Sequence, residues 1–244
     1  MNAETFCEHF ATFADAPDGL DKVRELVPTL AVQGKLVSQI STDPPASQLL
    51  DDIASREESV RQRKSRTSSN GEAAVSPHSA PHDIPDNWTW ARFDQVATIA
   101  SNLVKPSLFP DSAHVAPDNI EKATGKLLPF QTVSEDGVRS SNHRFFAGQL
   151  LYSKIRPNLA KAVVVDFDGL CSADMYPINS HIDSGYLLRF MLSNTFLGMA
   201  VRNDTRVAMP KINQEELNGI LVALPPLAEQ RRIVEKVDQF AGVV

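Results

Sequence analysis

The sequence predicts an α+β protein: an N-terminal helical arm, a polar linker, a mixed α/β domain and a C-terminal amphipathic, coiled-coil-like helix. Three observations carry this reading. Apolar residues recur at helical spacing between Phe6 and Val60, residues 67–83 carry almost no apolar bulk, and the short apolar run Ile220 to Leu224 is stopped by Pro225-Pro226 before a charged amphipathic stretch.

In the arm, Phe6, Cys7, Phe10, Phe13 and Ala14 follow one helical stripe. A second helix from about Asp18 carries Leu20, Val23, Leu26, Val27 and Leu30 and is capped by Gly34. Pro28 lies inside this pattern and is expected to kink or end the helix near Val27, because proline has no N–H and its ring meets the carbonyl four residues back. A third helix opens at Pro44 or Pro45, buries Leu49, Leu50, Ile53 and Val60, and finishes in the basic cluster Arg61, Arg63, Lys64 and Arg66, which suits a helix C-terminus. The arm is set at 1–66, the linker at 67–83, the mixed domain at 84–224 and the terminal helix at 225–244.

Within the mixed domain the expected strands are Trp88 to Phe93, Gln149 to Ile155, Ala162 to Phe167 and Leu170 to Ile178, with Asp168-Gly169 as a hairpin turn between the last two. Trp88 and Trp90 share a strand face and read as core anchors. Ser184 is expected to cap one long helix from Tyr186 through Leu187, Phe190, Met191, Phe196, Leu197 and Met199 that covers the sheet. After Leu224, the prolines preset φ for a first helical turn and Glu229 favours the helix N-terminus. Leu227, Val234 and Ala241 recur every seven residues with Val237 between them and Ile233 and Phe240 alongside, a seam that packs on another helix.

No run of about eighteen apolar residues and no basic-then-apolar leader occurs, so the expectation is a cytoplasmic, soluble chain with no membrane partner. Cys7 and Cys171 fall in different expected domains and read as reduced packing residues. The net charge of -6 is unusual for a nucleic-acid binder, but its distribution is uneven. Residues 1–83 hold 8 basic and 13 acidic side chains, whereas residues 84–228 hold 13 and 14.

A catalytic reading finds no catalyst. Asp43-Pro44-Pro45-Ala46 superficially matches the motif with which amino-methyltransferases hold a flipped base, yet Ala46 offers no ring to stack, and a helix start explains the prolines. Gly125-Lys126 lacks the flanking residues of a phosphate loop, and neither a dinucleotide fingerprint nor a nucleophile elbow is present. His78 and His82 sit four apart in a proline-broken segment without further ligands, so no metal is expected.

Five unrelated pieces together resemble one family. They are Leu30 to Val37, Ile84 to Trp90, Tyr152-Ser153-Lys154-Ile155-Arg156-Pro157, Met209 to Gln214, and Leu224-Pro225-Pro226-Leu227-Ala228-Glu229-Gln230 running on to Phe240. In residues and order they resemble the specificity subunit of type I restriction-modification systems. The resemblance implies a non-catalytic protein without cofactor, whose mixed domain is a target-recognition domain for double-stranded DNA and whose terminal helix begins the spacer. Its implied partners are the methyltransferase and restriction subunits. Relatives carry two recognition domains and two spacers, so this single-domain chain looks like half a subunit and is expected to pair with a second copy through Leu227, Ile233, Val234, Val237 and Phe240. A protein-only assembly adaptor, or a self-sufficient DNA-modifying enzyme with a diverged site, are the alternatives.

For DNA contact the sequence offers donors suited to base edges and phosphates. Lys154, Arg156, Asn158 and Lys161 cluster at a strand end where Pro157 takes the chain out of the sheet. Arg139, Asn142 and Arg144, and then Arg202, Arg206 and Lys211, are the further candidates.

Overall fold

The computed structural model describes residues 19–64, 80–201 and 210–241. The expected first helix, Cys7, His78, most of the linker, Arg202 and Arg206 lie outside these residues. The described residues fall into two compact units: those up to Val96 together with those from Leu221, and those of Ala97–Ile220.

These limits differ from the expected 84 and 224, and one strand pair explains why. Strand β1 (Thr89–Arg92) pairs antiparallel with the C-terminal β11 (Leu221–Leu224), setting Thr89 opposite Leu224 and Arg92 opposite Leu221. Each strand satisfies the other's backbone groups, so both stay with the helices of the first unit. The second unit is thereby an insertion between two adjacent strand ends.

In the first unit, helix α1 (Gly19–Val32) runs through Pro28 instead of ending near Val27. A proline inside a helix costs about 3 kcal/mol, and the turn that follows offsets this by burying Leu30, Ala31 and Val32. The helix closes in a Schellman motif: Gly34 N–H donates to the Ala31 carbonyl at 3.3 Å and Lys35 N–H to the Leu30 carbonyl at 2.9 Å. Gly34 has φ +68°, as such a terminus requires.

Helix α2 (Ala46–Lys64) starts after Pro44-Pro45, with Ala46 and Ile53 buried and Leu49 and Leu50 half-buried. It packs on β1 and on the short helix α3 (Phe93–Val96), which replaces the expected end of the strand at Phe93. Helix α7 (Leu227–Ala241) packs against α1, with Ile233 fully buried. Part of the seam expected to need a partner thus finds one in its own chain.

The second unit holds two sheets. The first runs β2 (Ala97–Ile99), β10 (Met175–Ser180), β7 (Leu150–Ser153), β8 (Ala162–Val164) in spatial order, all antiparallel. The second runs β3 (Leu103–Val104), β6 (Asn142–Phe145), β9 (Gly169–Cys171), β4 (Ala113–Val115), β5 (Gln131–Thr132), with only β4 and β9 parallel. Leu151, Val163 and Met175 from one sheet meet Val115, Phe145 and Cys171 from the other in a shared core. Burial pushes the Cys171 thiol up to about 12, consistent with a packing residue.

Three local expectations are corrected. The run Leu170 to Ile178 is two strands, β9 and β10, in different sheets, separated at Ser172 to Asp174. Asp168-Gly169 is therefore a crossing between sheets and not a hairpin; Gly169 is required there because a Cβ would lie 2.6 Å from Phe145 Cζ and 2.7 Å from the Ala113 carbonyl oxygen. The covering helix is capped by Asp183, whose carboxylate accepts the Tyr186 N–H, and it breaks in two. Helix α4 (Ser184–Leu192) ends at Ser193, which then caps α5 (Asn194–Ala200). The fully buried Ser193 hydroxyl donates to the Phe190 carbonyl at 2.7 Å and accepts the Phe196 N–H at 3.3 Å, so a local side-chain cap outcompetes helix continuation. A last helix, α6 (Gln214–Asn218), opens on an Asn213/Glu216 capping box.

Candidate nucleic-acid interface

Lys154 ends the β7 segment and is held on both sides of its backbone. Its N–H donates to the Asp174 carbonyl at 2.9 Å and its carbonyl accepts the Ile212 N–H at 2.9 Å. Ile155 forms a β-bridge with Lys211, and Arg156 N–H donates to the Pro210 carbonyl at 2.8 Å. Two segments more than fifty residues apart in sequence are thus laced together, and the backbones of Lys154, Arg156 and Lys211 are brought side by side.

Arg156 adopts the left-handed conformation, φ 48°, as does Ala160, φ 45°, on either side of the 3-10 turn Pro157–Leu159. Such a conformation is costly away from glycine, of the order of 1–3 kcal/mol, and here it turns Pro157 and Ala160 inward while Arg156 and Asn158 stay exposed. The other two cations are partly engaged. The Lys154 ammonium stands 5.3 Å from the Tyr176 ring centre, and Lys211 Nζ lies 3.1 Å from Asp174 Oδ1.

Asp174, Tyr176 and His143 complete this surround, and Asp174 and Tyr176 were not singled out as contact residues from the sequence. Burial, reinforced by the charge of Lys154, lowers the His143 pKa. Burial, reinforced by the charge of Glu216, raises that of Tyr176. His143 Nδ1 accepts the Asn102 N–H at 3.1 Å, so its ring is a neutral acceptor in this network. Nothing in the spacing of Asp174 and Tyr176 marked them; strand register alone assembles the three.

The remaining candidates separate into used and unused groups. Lys161 donates to the Pro117 carbonyl at 2.8 Å and lies 3.6 Å from Asp118, so its charge is spent inside the unit. Asn142 is 2% exposed and cannot reach DNA. Its amide oxygen accepts from His114 Nε2 at 2.9 Å while its amide nitrogen donates to the Ser141 and Ser140 carbonyls, and His114 Nδ1 meets Asp136 Oδ2 at 2.6 Å. This chain fastens the 132–141 loop to the sheet, and Arg139 is exposed on that loop, beside a shallow cleft shared with Pro106, Ser107 and Pro110. Arg144 is half-buried on β6.

In the first unit, Asp43 accepts from Arg232 Nη2 at 2.6 Å, which gives the Asp-Pro-Pro segment a structural task. His82 contacts the Val32 carbonyl and the edge of Trp90. Among the described residues no group of three or more His, Cys, Asp or Glu is placed to hold a metal, and no helix is long and apolar enough to cross a membrane.

No protein-family model matches the chain. It is 54% identical over 157 residues to the type I restriction enzyme EcoDI specificity subunit of Escherichia coli, covering 64% of this chain and 35% of that protein. It is 28% identical over 227 residues to the EcoEI specificity subunit of the same organism, covering 88% of this chain and 38% of that protein. A solved chain described under complex assembly and conformational transition of the type I R-M system is 24% identical, with a TM-score of 0.57 over 66% of this chain and 44% of its own. That likeness establishes a shared fold. The chain spans less than two fifths of the length of these two curated relatives, and over that span it is similar to type I restriction-enzyme specificity subunits.

Proposed function

We propose that this chain is a DNA sequence-specificity subunit that reads one half of a bipartite target, docks methyltransferase and restriction subunits, and performs no chemistry itself. The observation that carries the reading is the lacing of residues 154–156 to residues 210–212, which sets the backbones of Lys154, Arg156 and Lys211 side by side, with Arg156 and Asn158 exposed. Cations that reach solvent from a rigid backbone suit phosphate contact, which fixes register, while amide and guanidinium groups suit base edges. Residues 97–220 hold twelve basic and twelve acidic side chains, so this unit alone is a weak electrostatic partner for DNA. A docked methyltransferase subunit supplies the remaining phosphate contacts.

Helix α7 is the docking element of this reading. Ile233 is occupied by its own unit, whereas Leu227 is 37% exposed and Val234, Val237 and Phe240 are half-buried. Pairing of two copies across this face presents two identical recognition units, which read an interrupted inverted repeat.

The test is selection from a randomised duplex pool at stated salt, with and without a type I methyltransferase subunit. An enriched interrupted motif that requires the partner is the expected result. K154E with R156E is expected to abolish DNA retention while preserving assembly with the methyltransferase; unchanged retention makes the chain an assembly adaptor.

A further inference from the structure

Arg144 is a cation of the second unit held between two aromatic rings. Its guanidinium carbon lies 5.2 Å from the centre of the Phe109 ring and 4.8 Å from that of Phe146. Each of the three residues is fixed by backbone contacts. Arg144 faces Leu170 in the β6–β9 ladder. Phe109 closes the 3-10 turn Pro106–Leu108 with its N–H on the Pro106 carbonyl at 2.8 Å. Phe146 N–H donates to Gln149 Oε1 at 2.9 Å, and its carbonyl accepts the Gln149 N–H at 3.1 Å.

Among the described residues the Arg144 guanidinium makes ring contacts but no hydrogen bond or ion pair. Its donors are unspent although its position is set, in contrast to Lys161, Lys211, Arg92 and Arg232, which each have a carboxylate partner. Its surroundings are apolar: Phe146 is 40% exposed and Leu108, beside Phe109, is 69% exposed. A planar guanidinium also forks onto phosphate, but a hydrated phosphate is poorly served by an apolar rim. A guanine edge, with O6 and N7 in one plane, matches a planar fork held by aromatic faces, and the apolar rim suits base edges and thymine methyl groups.

We infer that Arg144 is a specificity-determining residue that reads guanine in the major groove, with Phe109 and Phe146 as its positioning residues. This rests on the DNA-specificity reading above, and it divides the labour of the unit: Lys154, Arg156 and Lys211 face the backbone, and Arg144 faces a base.

The experiment repeats the duplex selection on the full chain with its methyltransferase partner for wild type, R144A and F146A. For R144A the expected result is loss of guanine preference at one position of the half-site, about ten- to a hundredfold, with the other positions unchanged. F146A keeps the arginine and removes one ring, and is expected to weaken the same guanine preference by a smaller factor; Phe146 is exposed enough that this variant tests the idea even where R144A folds poorly. An unaltered motif in both variants, or a uniform loss of affinity across all sequences, overturns the inference. A wild-type chain that selects no motif overturns the specificity reading itself, and the inference with it.

Discussion

Replacing Glu229 tests how the terminal helix is fastened. Its carboxylate is fully buried in the first turn of α7 and accepts from Trp88 Nε1 at 3.0 Å and from Gln39 Nε2 at 2.6 Å. In Glu229→Ala the exposed Gln39 amide finds water, but the buried indole N–H loses its carboxylate acceptor. Leaving such a donor unmatched costs about 1–3 kcal/mol, so about 2 kcal/mol is expected, or about 4–8 °C in melting temperature. Both tryptophans of the chain, Trp88 and Trp90, belong to the first unit, so urea unfolding followed by tryptophan fluorescence reports this unit selectively. Glu229→Gln keeps an acceptor for Trp88 and is expected to fall within about 1 kcal/mol of wild type. Burial raises the Glu229 pKa above its ordinary 4.5, ahead of the lowering by Trp88, Gln39 and Arg232. The folded form therefore binds this proton more tightly than the unfolded form. Its stabilising contribution is complete below pH 4.5 and is lost as pH rises through the higher folded value. Glu229→Gln should remove that component of the pH profile. Alanine as stable as wild type, or glutamine as damaging as alanine, refutes the account.

Three further outcomes follow from the geometry. Gly169→Ala forces a methyl group against Phe145 and the Ala113 carbonyl and should cost about 1–3 kcal/mol, read as an earlier unfolding transition by circular dichroism. Gly34→Ala combines a positive φ with a Cβ 2.4 Å from Pro85 Cγ; it should destabilise the first unit by more than 1 kcal/mol or so, visible in the same tryptophan signal. In DNA binding titrated against salt, Arg156→Ala should lower the slope of log K on log salt by about 0.9, one phosphate contact, whereas Lys161→Ala should leave it unchanged because its ammonium is held by Pro117 and Asp118.

Periodicity and punctuation alone located α1, α2 and α7 of this protein. The proline pairs before Ala46 and Leu227, Gly34 after α1, and the apolar run to Leu224 each name a local backbone state, and local states are legible because neighbours in sequence create them. The family resemblance was equally local, carried by short runs of residues. What the tertiary structure decided is non-local. Pro28 stays in its helix because burial of the following turn outweighs a local penalty, and Ser193 splits a helix because its buried hydroxyl has two backbone partners in reach. Asp168-Gly169 crosses between sheets because the space beside Phe145 admits no side chain. The candidate site follows the same rule. Arg156 and Asn158 could be read from a proline at a strand end, but their union with Lys211, the burial of Asn142 and the two rings over Arg144 depend on strand register. Register is set by which apolar faces can be buried together, and no single segment of sequence contains that information.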